Sequence, residues 1–339
     1  MNRFVFLLLV SLSLLSYIDT KTTCFSSRKK LLTQMEKREN IYKALTVYNK
    51  TLHSHLRKLV EQTQLELISD NVYMPKDVKM TYYFLGSLAR KTALPFSDLE
   101  FGIIVSERSL EVKKYVNDFM QTFYQKLNKA GYYLDENGWY PPFQRKDRLN
   151  GKKIFLATPD ELKKFIKKGK NHRVRVALLQ RHFFYGDKQL YKECLEDEEH
   201  EDLRKSLKEE FFVMKKHLNT NVKTMSKVLQ EEKFNKSQTF NFKSYLIQPV
   251  EMLIFYLGQW HHISNKSIFH MIEKLAIENH ISQSQKQKLI KALSFGIKKR
   301  LFYEDQSVLI SSLSQEEIAS INNHLSFIFS FLSHVESSL

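Results

Sequence analysis

Residues 86–101 read Gly-Ser-Leu-Ala-Arg-Lys-Thr-Ala-Leu-Pro-Phe-Ser-Asp-Leu-Glu-Phe. They follow residues 78–86, which are rich in aromatic and β-branched side chains, and residues 97–105 have a similar composition. Such segments are typical of β-strands. A glycine at the end of a strand permits a tight turn and lets a ligand approach the backbone closely. The stretch therefore predicts two strands, joined by a connection that starts at Gly86.

Polar residues after this glycine indicate a phosphate site. Ser87 supplies a hydroxyl donor, and the free backbone amides of such a turn can surround a phosphate. Arg90 and Lys91 add positive charge at the same point, and an arginine can contact a phosphate through two parallel hydrogen bonds. We expect the Arg90 guanidinium to be exposed beside the turn amides.

The pair Asp98 and Glu100 indicates a metal site. One residue separates them, so on a strand both side chains leave the same face, while Leu99 points to the core. Two adjacent carboxylates repel each other unless a cation lies between them. Mg²⁺ suits this position because it takes oxygen ligands and keeps substrate phosphates as co-ligands. A phosphate site beside metal-binding carboxylates is suited to in-line attack on a nucleotide. A solvated turn followed by an ordinary strand is the alternative without function.

The combined pattern resembles the nucleotidyltransferase superfamily related to DNA polymerase beta. More narrowly, it is similar to the amino-terminal domain of the bacterial PII-protein uridylyltransferases and their uncharacterised relatives. That family has Gly-Ser, two residues, Arg, then Pro-x-Ser-Asp-x-(Asp/Glu). The positions that match this pattern are Gly86, Ser87, Arg90, Pro95, Ser97, Asp98 and Glu100. Weaker similarity extends over about residues 40–305 and includes Leu178–Asp187.

This resemblance implies an Mg²⁺-dependent enzyme, with one or two ions, that moves a nucleoside monophosphate from UTP or ATP to an acceptor. A protein acceptor is favoured over a nucleic acid. Asp98 and Glu100 would be the catalytic metal ligands. The nucleotide-binding residues would be Gly86, Ser87, Arg90, Lys91 and Ser97.

One expected element of the superfamily is missing from its usual place. Many members carry a third carboxylate on a later strand, but the predicted strand at 173–185 contains no acid, and Gln180 stands where one would be sought. Asp135, Asp147 and Asp187 are the candidates, although Asp187 is better placed to cap a helix. Without a third acid, the protein would be a weak or inactive relative that binds nucleotide as an interaction module.

The rest of the pattern predicts an α+β fold: a small mixed sheet with flanking helices, followed by an antiparallel helical bundle. We expect a nucleotidyltransferase-like domain at 28–230 and a helical substrate-binding or interaction domain at 240–339, with no strand after residue 240. The predicted helices lie at 28–68, whole or broken near Asn49, and then at 109–130, 159–168, 186–218 and 249–260. Ser264 and the boxes Ser282-x-x-Gln285 and Ser314-x-x-Glu317 are typical helix starts.

The composition favours an acidic or phosphate-rich partner. The chain has 339 residues and a formal net charge of +16. Residues 140–181 hold 13 Lys and Arg against three acids, as in a nucleic-acid surface, a rim that steers phosphates or a solvated face. Two cysteines, Cys24 and Cys194, exclude a disulfide scaffold.

The first residues indicate export. Arg3 precedes a mainly apolar run at 4–18, the shape of a secretory signal and short for a membrane span. Residues 1–24 would be a signal peptide or a membrane anchor that associates the protein with a membrane. If they are neither, the expected location is cytoplasmic.

Overall fold

The computed structural model describes residues 41–132, most of 148–168, residues 178 and 180–194, and 239–337 without 264–266 and 304–306; Thr33 and a few positions between 212 and 227 are also described. The chain divides into two compact units, residues 1–198 and 199–339. Most of the predicted boundary at 231–239 lies outside the described residues, and the domain ranges 28–230 and 240–339 stay predictions.

The first unit alternates helices and short strands. In chain order its elements are α1 (Ile41–Ser69), β1 (Met80–Phe84), α2 (Gly86–Arg90), β2 (Phe101–Val105), α3 (Leu110–Lys129), β3 (Arg148–Leu149), β4 (Lys152–Lys153), β5 (Phe155–Ala157), α4 (Pro159–Lys168), β6 (His182–Gly186) and α5 (Lys188–Glu193).

Four of these strands form one mixed sheet in the order β5-β2-β1-β6. β1 is antiparallel to β2, with Phe84 opposite Phe101, and antiparallel to β6, with Phe84 opposite His182. β2 and β5 are parallel. The end of β1 and the starts of β2 and β6 therefore meet at one edge of the sheet. The small mixed sheet with flanking helices is confirmed.

Helices cover both faces of the sheet, which explains why β1 is buried at every residue. Side chains of α1 and α3 pack on one face with Tyr82 and Phe84. On the other face, Tyr83 and Ile104 pack with Leu162 of α4 and with α5. Residues that alternate along β1 and β2 therefore enter different cores.

Two predicted elements of the first unit differ in the structure, and for α1 the unbroken alternative is the one observed. α1 is continuous through Asn49, whose side-chain amide donates to the backbone oxygens of Leu45 (3.0 Å) and Ala93 (3.3 Å). β6 begins only at His182 rather than at 173, because its extent is set by pairing with β1. α5 ends at Glu193, and residues 195–211 of the helix predicted at 186–218 lie outside the described residues.

The second unit is a set of helices with one small ribbon. Its elements are β7 (Thr239–Asn241), a π-helical turn (Lys243–Ile247), α6 (Gln248–Trp260), α7 (Ile268–Ile277), α8 (Gln283–Tyr303), β8 (Ser307–Leu309), a 3₁₀ turn (Ile310–Ser312) and α9 (Gln315–Ser337). The helical region is confirmed. The expectation of no strand after residue 240 is wrong, because β7 and β8 pair antiparallel.

Local capping signals in the second unit mostly hold. In the two predicted capping boxes, the hydroxyls of Ser282 and Ser314 accept from the backbone amides of Gln285 and Glu317. The side chains of Gln285 and Glu317 accept in turn from the backbone amides of the two serines. The four distances are 2.6–3.1 Å. The cap of α7 is Ser267, whose hydroxyl accepts from the His270 amide at 3.2 Å, and not Ser264.

Residues 1–32 lie outside the described part of the chain, so the predicted signal or anchor at 1–24 is untested. Among the residues that the structure does describe, no helix is both long and apolar enough to cross a membrane.

Candidate active site

The candidate site lies at the sheet edge where β1 ends and β2 begins. The Leu85 amide donates to the Glu100 carbonyl at 2.9 Å, which extends the β1–β2 pairing by one step. The Gly-Ser pair and the Asp-x-Glu pair are 11 to 14 residues apart in sequence and adjacent in space at this edge. The structure thus brings the two halves of the predicted motif together.

Gly86 and the Glu100 carboxylate are in direct apposition. A Cβ atom built on Gly86 would lie 1.7 Å from Glu100 Oε2, and Gly86 has φ +55°. A side chain at this position would displace the Glu100 carboxylate, and the positive φ strains any residue other than glycine. The positive φ therefore favours glycine, and the missing side chain leaves room for the Glu100 carboxylate at the first residue of α2.

Asp98, Leu99 and Glu100 alternate as the strand spacing predicts. Leu99 is 3% exposed in the core that α1 and α3 cover, and the two carboxylate residues are half-buried on either side of it. Both acids thus keep access to solvent while the residue between them anchors the segment. Their roles as catalytic residues and metal ligands stay predictions.

The donor set fits a magnesium ion that is completed by substrate. Among the described residues, no group of three or more His, Cys, Asp or Glu could hold a metal. Asp98 and Glu100 offer carboxylate oxygens only, and Mg²⁺ is commonly bound by one or two carboxylates together with substrate phosphates. The apposition of Glu100 and Gly86 places one of these carboxylates where the predicted phosphate site begins.

α2 starts at Gly86 and is a single short helix of five residues. Ser87 is half-buried at its second position. Lys91 ends the helix in a left-handed conformation, with φ 59°, and the Thr92 amide returns to the Ser87 carbonyl at 2.9 Å. The predicted turn is thus a one-turn helix, with Ser87 at its second position and Lys91 at its end.

Ser97 stabilises the turn before Asp98. Its hydroxyl accepts from the Leu94 amide at 2.9 Å, and its own amide donates to the Leu94 carbonyl at 2.8 Å. The residue is 7% exposed. A nucleotide contact by Ser97 stays a prediction, and the contacts described here hold the loop.

Arg90 is placed differently from the sequence expectation. Its Nη1 donates to Gln180 Oε1 at 2.7 Å, and the residue is half-buried. Gln180 itself is only 1% exposed. The guanidinium therefore joins α2 to the segment before β6. The expectation of an exposed Arg90 is wrong, and its contact with a triphosphate stays a prediction.

The structure addresses one candidate for the third carboxylate. Asp187 caps α5 by accepting from the Leu190 amide at 2.8 Å, and its own amide donates to the carbonyl of Met80, at the opposite end of β1 from Gly86. It is a helix cap. Asp135, Asp147 and half of the basic stretch at 140–181 lie outside the described residues.

Two histidines at the same edge were not singled out from the sequence. His182 is the first residue of β6, opposite Phe84, and the His53 ring on α1 lies 4.6 Å from the Phe84 ring. Burial, His182 and Lys91 lower the pKa of His53 to about 4, against a backbone hydrogen bond at Leu88 that raises it. Burial and Lys91 also lower the pKa of His182. The pairing of β6 with β1 and the packing of α1 on Phe84 bring these residues together, so no local sequence signal marks them.

Comparison with known proteins agrees with the predicted class. Residues 26–141 match the family model described as "Putative nucleotidyltransferase DUF294". This segment carries the whole motif from Gly86 to Glu100, and the match confirms the resemblance to nucleotidyltransferases. No curated protein matches the sequence.

Among solved structures, the chain is similar to the spectinomycin adenyltransferase AAD(9) from Enterococcus faecialis, whose crystal structure contains ATP and spectinomycin. The identity is 13% and the TM-score 0.31, over 78% of this chain and 98% of that chain. A TM-score of this size does not by itself establish a shared fold.

Proposed function

We propose that this protein is a divalent-metal-dependent nucleotidyltransferase that uses the sheet edge around Gly86 and Glu100. The apposition of the Glu100 carboxylate and Gly86 carries the proposal. A carboxylate beside the proposed phosphate site would repel a triphosphate unless a cation lay between them. Such an arrangement is consistent with a bound triphosphate–metal complex rather than with a phosphate alone.

The proposed reaction joins an acceptor oxygen to the α-phosphorus of a nucleoside triphosphate. The bond between the α-phosphorus and the bridging oxygen to the β-phosphate breaks, and pyrophosphate leaves. A bound Mg²⁺ would neutralise charge that develops on the phosphate oxygens. Asp98 and Glu100 would orient it, and Ser87 would donate to a phosphate oxygen. Leu99, buried between the two acids, would keep their spacing fixed.

Arg90 would act on the triphosphate through its position on α2. One of its nitrogens is engaged by Gln180, and a guanidinium has five N–H donors. The hydrogen bond to Gln180 would hold the Arg90 guanidinium in a defined orientation. Lys91, the next residue, would add charge at the end of the same helix.

The resemblance to PII-protein uridylyltransferases supports UTP as the first triphosphate to test and a protein as the acceptor. The test uses the full chain with Mg²⁺ and each of the four nucleoside triphosphates, labelled at the α-phosphate. Transfer of label to a macromolecule supports the proposal. Pyrophosphate release is measured in parallel, because water can replace an absent acceptor. The proposal is contradicted if none of the triphosphates gives either label transfer or pyrophosphate release.

A second candidate is a nucleotide-binding interaction module without turnover. The observation that favours it is Gln180, a neutral residue where the superfamily often has an acid, together with the absence of a third metal-binding acid among the described residues. Nucleotide binding without pyrophosphate release, at saturating Mg²⁺ or Mn²⁺, is the result that this candidate predicts.

We also propose export or membrane anchoring through residues 4–18. The run holds mainly apolar residues after a single positive charge. Fractionation of cells that express the full chain, and a variant with Leu8→Arg, would test this. Identical cytoplasmic recovery of both proteins would contradict it.

A further inference from the structure

The segment before β6 carries two adjacent buried polar side chains, Gln180 and Arg181. Gln180 is joined to the proposed site, because its Oε1 accepts from Arg90 Nη1 at 2.7 Å. Arg181 has a different set of contacts, which lead to α5. No step of the proposed reaction uses Arg181, so its place beside Gln180 needs an explanation of its own.

The Arg181 guanidinium binds two backbone carbonyls. Its Nη1 donates to the Leu178 carbonyl at 2.7 Å, and its Nη2 donates to the Cys194 carbonyl at 2.8 Å. Cys194 is the C-cap of α5, where the end of a helix leaves carbonyl oxygens that need donors. The Arg181 backbone amide also donates to the Leu178 carbonyl, at 3.1 Å. The residues on both sides of Gln180 in this turn are thus tied together.

A tyrosine of α5 completes the connection. Tyr191 Oη donates to the Arg181 carbonyl at 3.1 Å, and Tyr191 is buried. The end of α5 therefore holds Arg181 at two points, the guanidinium and the backbone carbonyl. Since Gln180 directly precedes Arg181, these bonds restrain the backbone of Gln180. The bond from Arg90 to Gln180 then connects them to α2.

A role in folding alone does not account for an arginine at position 181. Removing a guanidinium from water is costly, and buried charged groups can often be replaced by apolar residues without loss of stability. What arginine supplies is a planar set of donors in a fixed geometry, here directed at two carbonyls. Such a group restrains the position of its neighbour Gln180 more than it adds to stability.

We propose that Arg181 and Tyr191 are positioning residues that act on Arg90 through Gln180. The end of α5 fixes the side-chain oxygen of Gln180, and that oxygen orients the Arg90 guanidinium. The inference rests on the proposed function, in which Arg90 contacts the triphosphate, and it adds α5 to the elements on which the site depends. Neither Arg181 nor Tyr191 itself would contact the nucleotide.

The first experiment needs no nucleotide. Urea unfolding measures the free energies of unfolding of wild type, Tyr191→Phe, Arg90→Ala and the double variant. Tyr191→Phe removes one hydroxyl and keeps the ring. If Tyr191 holds Gln180 for Arg90, the loss in the double variant is smaller than the sum of the two single losses. Tyr303→Phe is the matched control, because its hydroxyl donates to Glu317 at the same distance, 3.1 Å, in the second unit. Its loss should add to that of Arg90→Ala.

The second experiment measures triphosphate binding in the presence of Mg²⁺. The probes are UTP and ATP with a methylene group between the α- and β-phosphorus, which prevents cleavage there. Tyr191→Phe should weaken binding about two- to tenfold, the range for one hydrogen bond between neutral groups. In the Arg90→Ala background the same change should alter affinity by less than about twofold, because the two residues act in series. Arg181→Lys, which keeps the charge but not the planar set of donors, should show the same dependence on Arg90.

Two results would overturn the inference. The first is an additive loss of unfolding free energy for Tyr191→Phe and Arg90→Ala. The second is equal weakening of triphosphate binding by Tyr191→Phe with and without Arg90, which is what a general loss of structure produces. If wild type binds neither probe while the unfolding losses are not additive, the proposed function is contradicted and the connection from α5 to Arg90 stands.

Discussion

The Glu100 carboxylate lies against the Cα atom of Gly86, so closely that a methyl group on Gly86 would meet Oε2 at 1.7 Å. This relationship joins the two halves of the motif, since Gly86 starts α2 and Glu100 precedes β2. It also explains why the chain has glycine at that position in terms of both backbone conformation and space.

Gly86→Ala should destabilise the protein and impair the site. The left-handed conformation alone costs an alanine about 1–2 kcal/mol, and the new methyl group must displace Glu100. Chemical denaturation measures the loss. The double variant Gly86→Ala with Glu100→Ala should recover the part that is due to the clash. If the loss in unfolding free energy of the double variant equals the sum of the losses of the two single variants, the apposition of Gly86 and Glu100 is contradicted.

Arg90→Ala should lower stability as well as triphosphate affinity. It removes the hydrogen bond that Arg90 donates to the buried Gln180, and a hydrogen bond to a charged group contributes about 1.5–3 kcal/mol. Urea unfolding of Arg90→Ala and Gln180→Ala should show losses that are not additive, because both variants remove the same hydrogen bond. Arg57→Ala, which removes an exposed arginine paired with Glu61, is the control and should change stability little. Additive losses would refute the Arg90–Gln180 contact.

His53 should make stability depend on pH. Its pKa is lowered from 6.5 to about 4 in the folded protein, so the unfolded chain takes up a proton first as the pH falls. The stabilisation is complete above pH 6.5 and is lost between pH 6.5 and about 4, amounting to roughly 3 kcal/mol. Denaturation at pH 7.0 and 4.5 measures the free energy of unfolding at each pH. The difference between the two values should be smaller for His53→Gln than for wild type. Equal differences would contradict the burial of a neutral His53.

Much of the local structure was predictable because it depends on neighbouring residues. Ser282 and Ser314 start helices through contacts three residues away, and Gly86 ends a strand by its own conformational freedom. The alternation of Leu99 with two acids follows from strand geometry alone. Each of these features is determined by residues that lie within a few positions of one another in the sequence.

Long-range pairing decided what could not be predicted. The Arg90–Gln180 bond joins residues 90 positions apart, and the start of β6 depends on β1. The β7–β8 ribbon pairs Phe240 with Val308, which no local pattern near residue 240 indicates. The approach of His53 and His182 has the same origin.

Ser314→Ala should destabilise the second unit by about 1 kcal/mol, the usual cost of losing a helix cap. The serine hydroxyl accepts from the Glu317 amide at 3.1 Å. Ser284→Ala is the matched control, because Ser284 is exposed on α8 and should tolerate alanine. Thermal unfolding of both variants tests this, and equal melting temperatures would contradict the capping role.

The most direct test of the account is metal-dependent pyrophosphate release from nucleoside triphosphates by wild type, Asp98→Asn and Glu100→Gln. The control is Asp118→Asn, a half-buried acid on α3. We predict release by wild type and the control only with Mg²⁺ or Mn²⁺, and at least about a 100-fold loss in both site variants, since even residues that merely support metal ligands cost 10–100-fold. Equal release by wild type and Asp98→Asn, with all proteins folded, would contradict the assignment of the site.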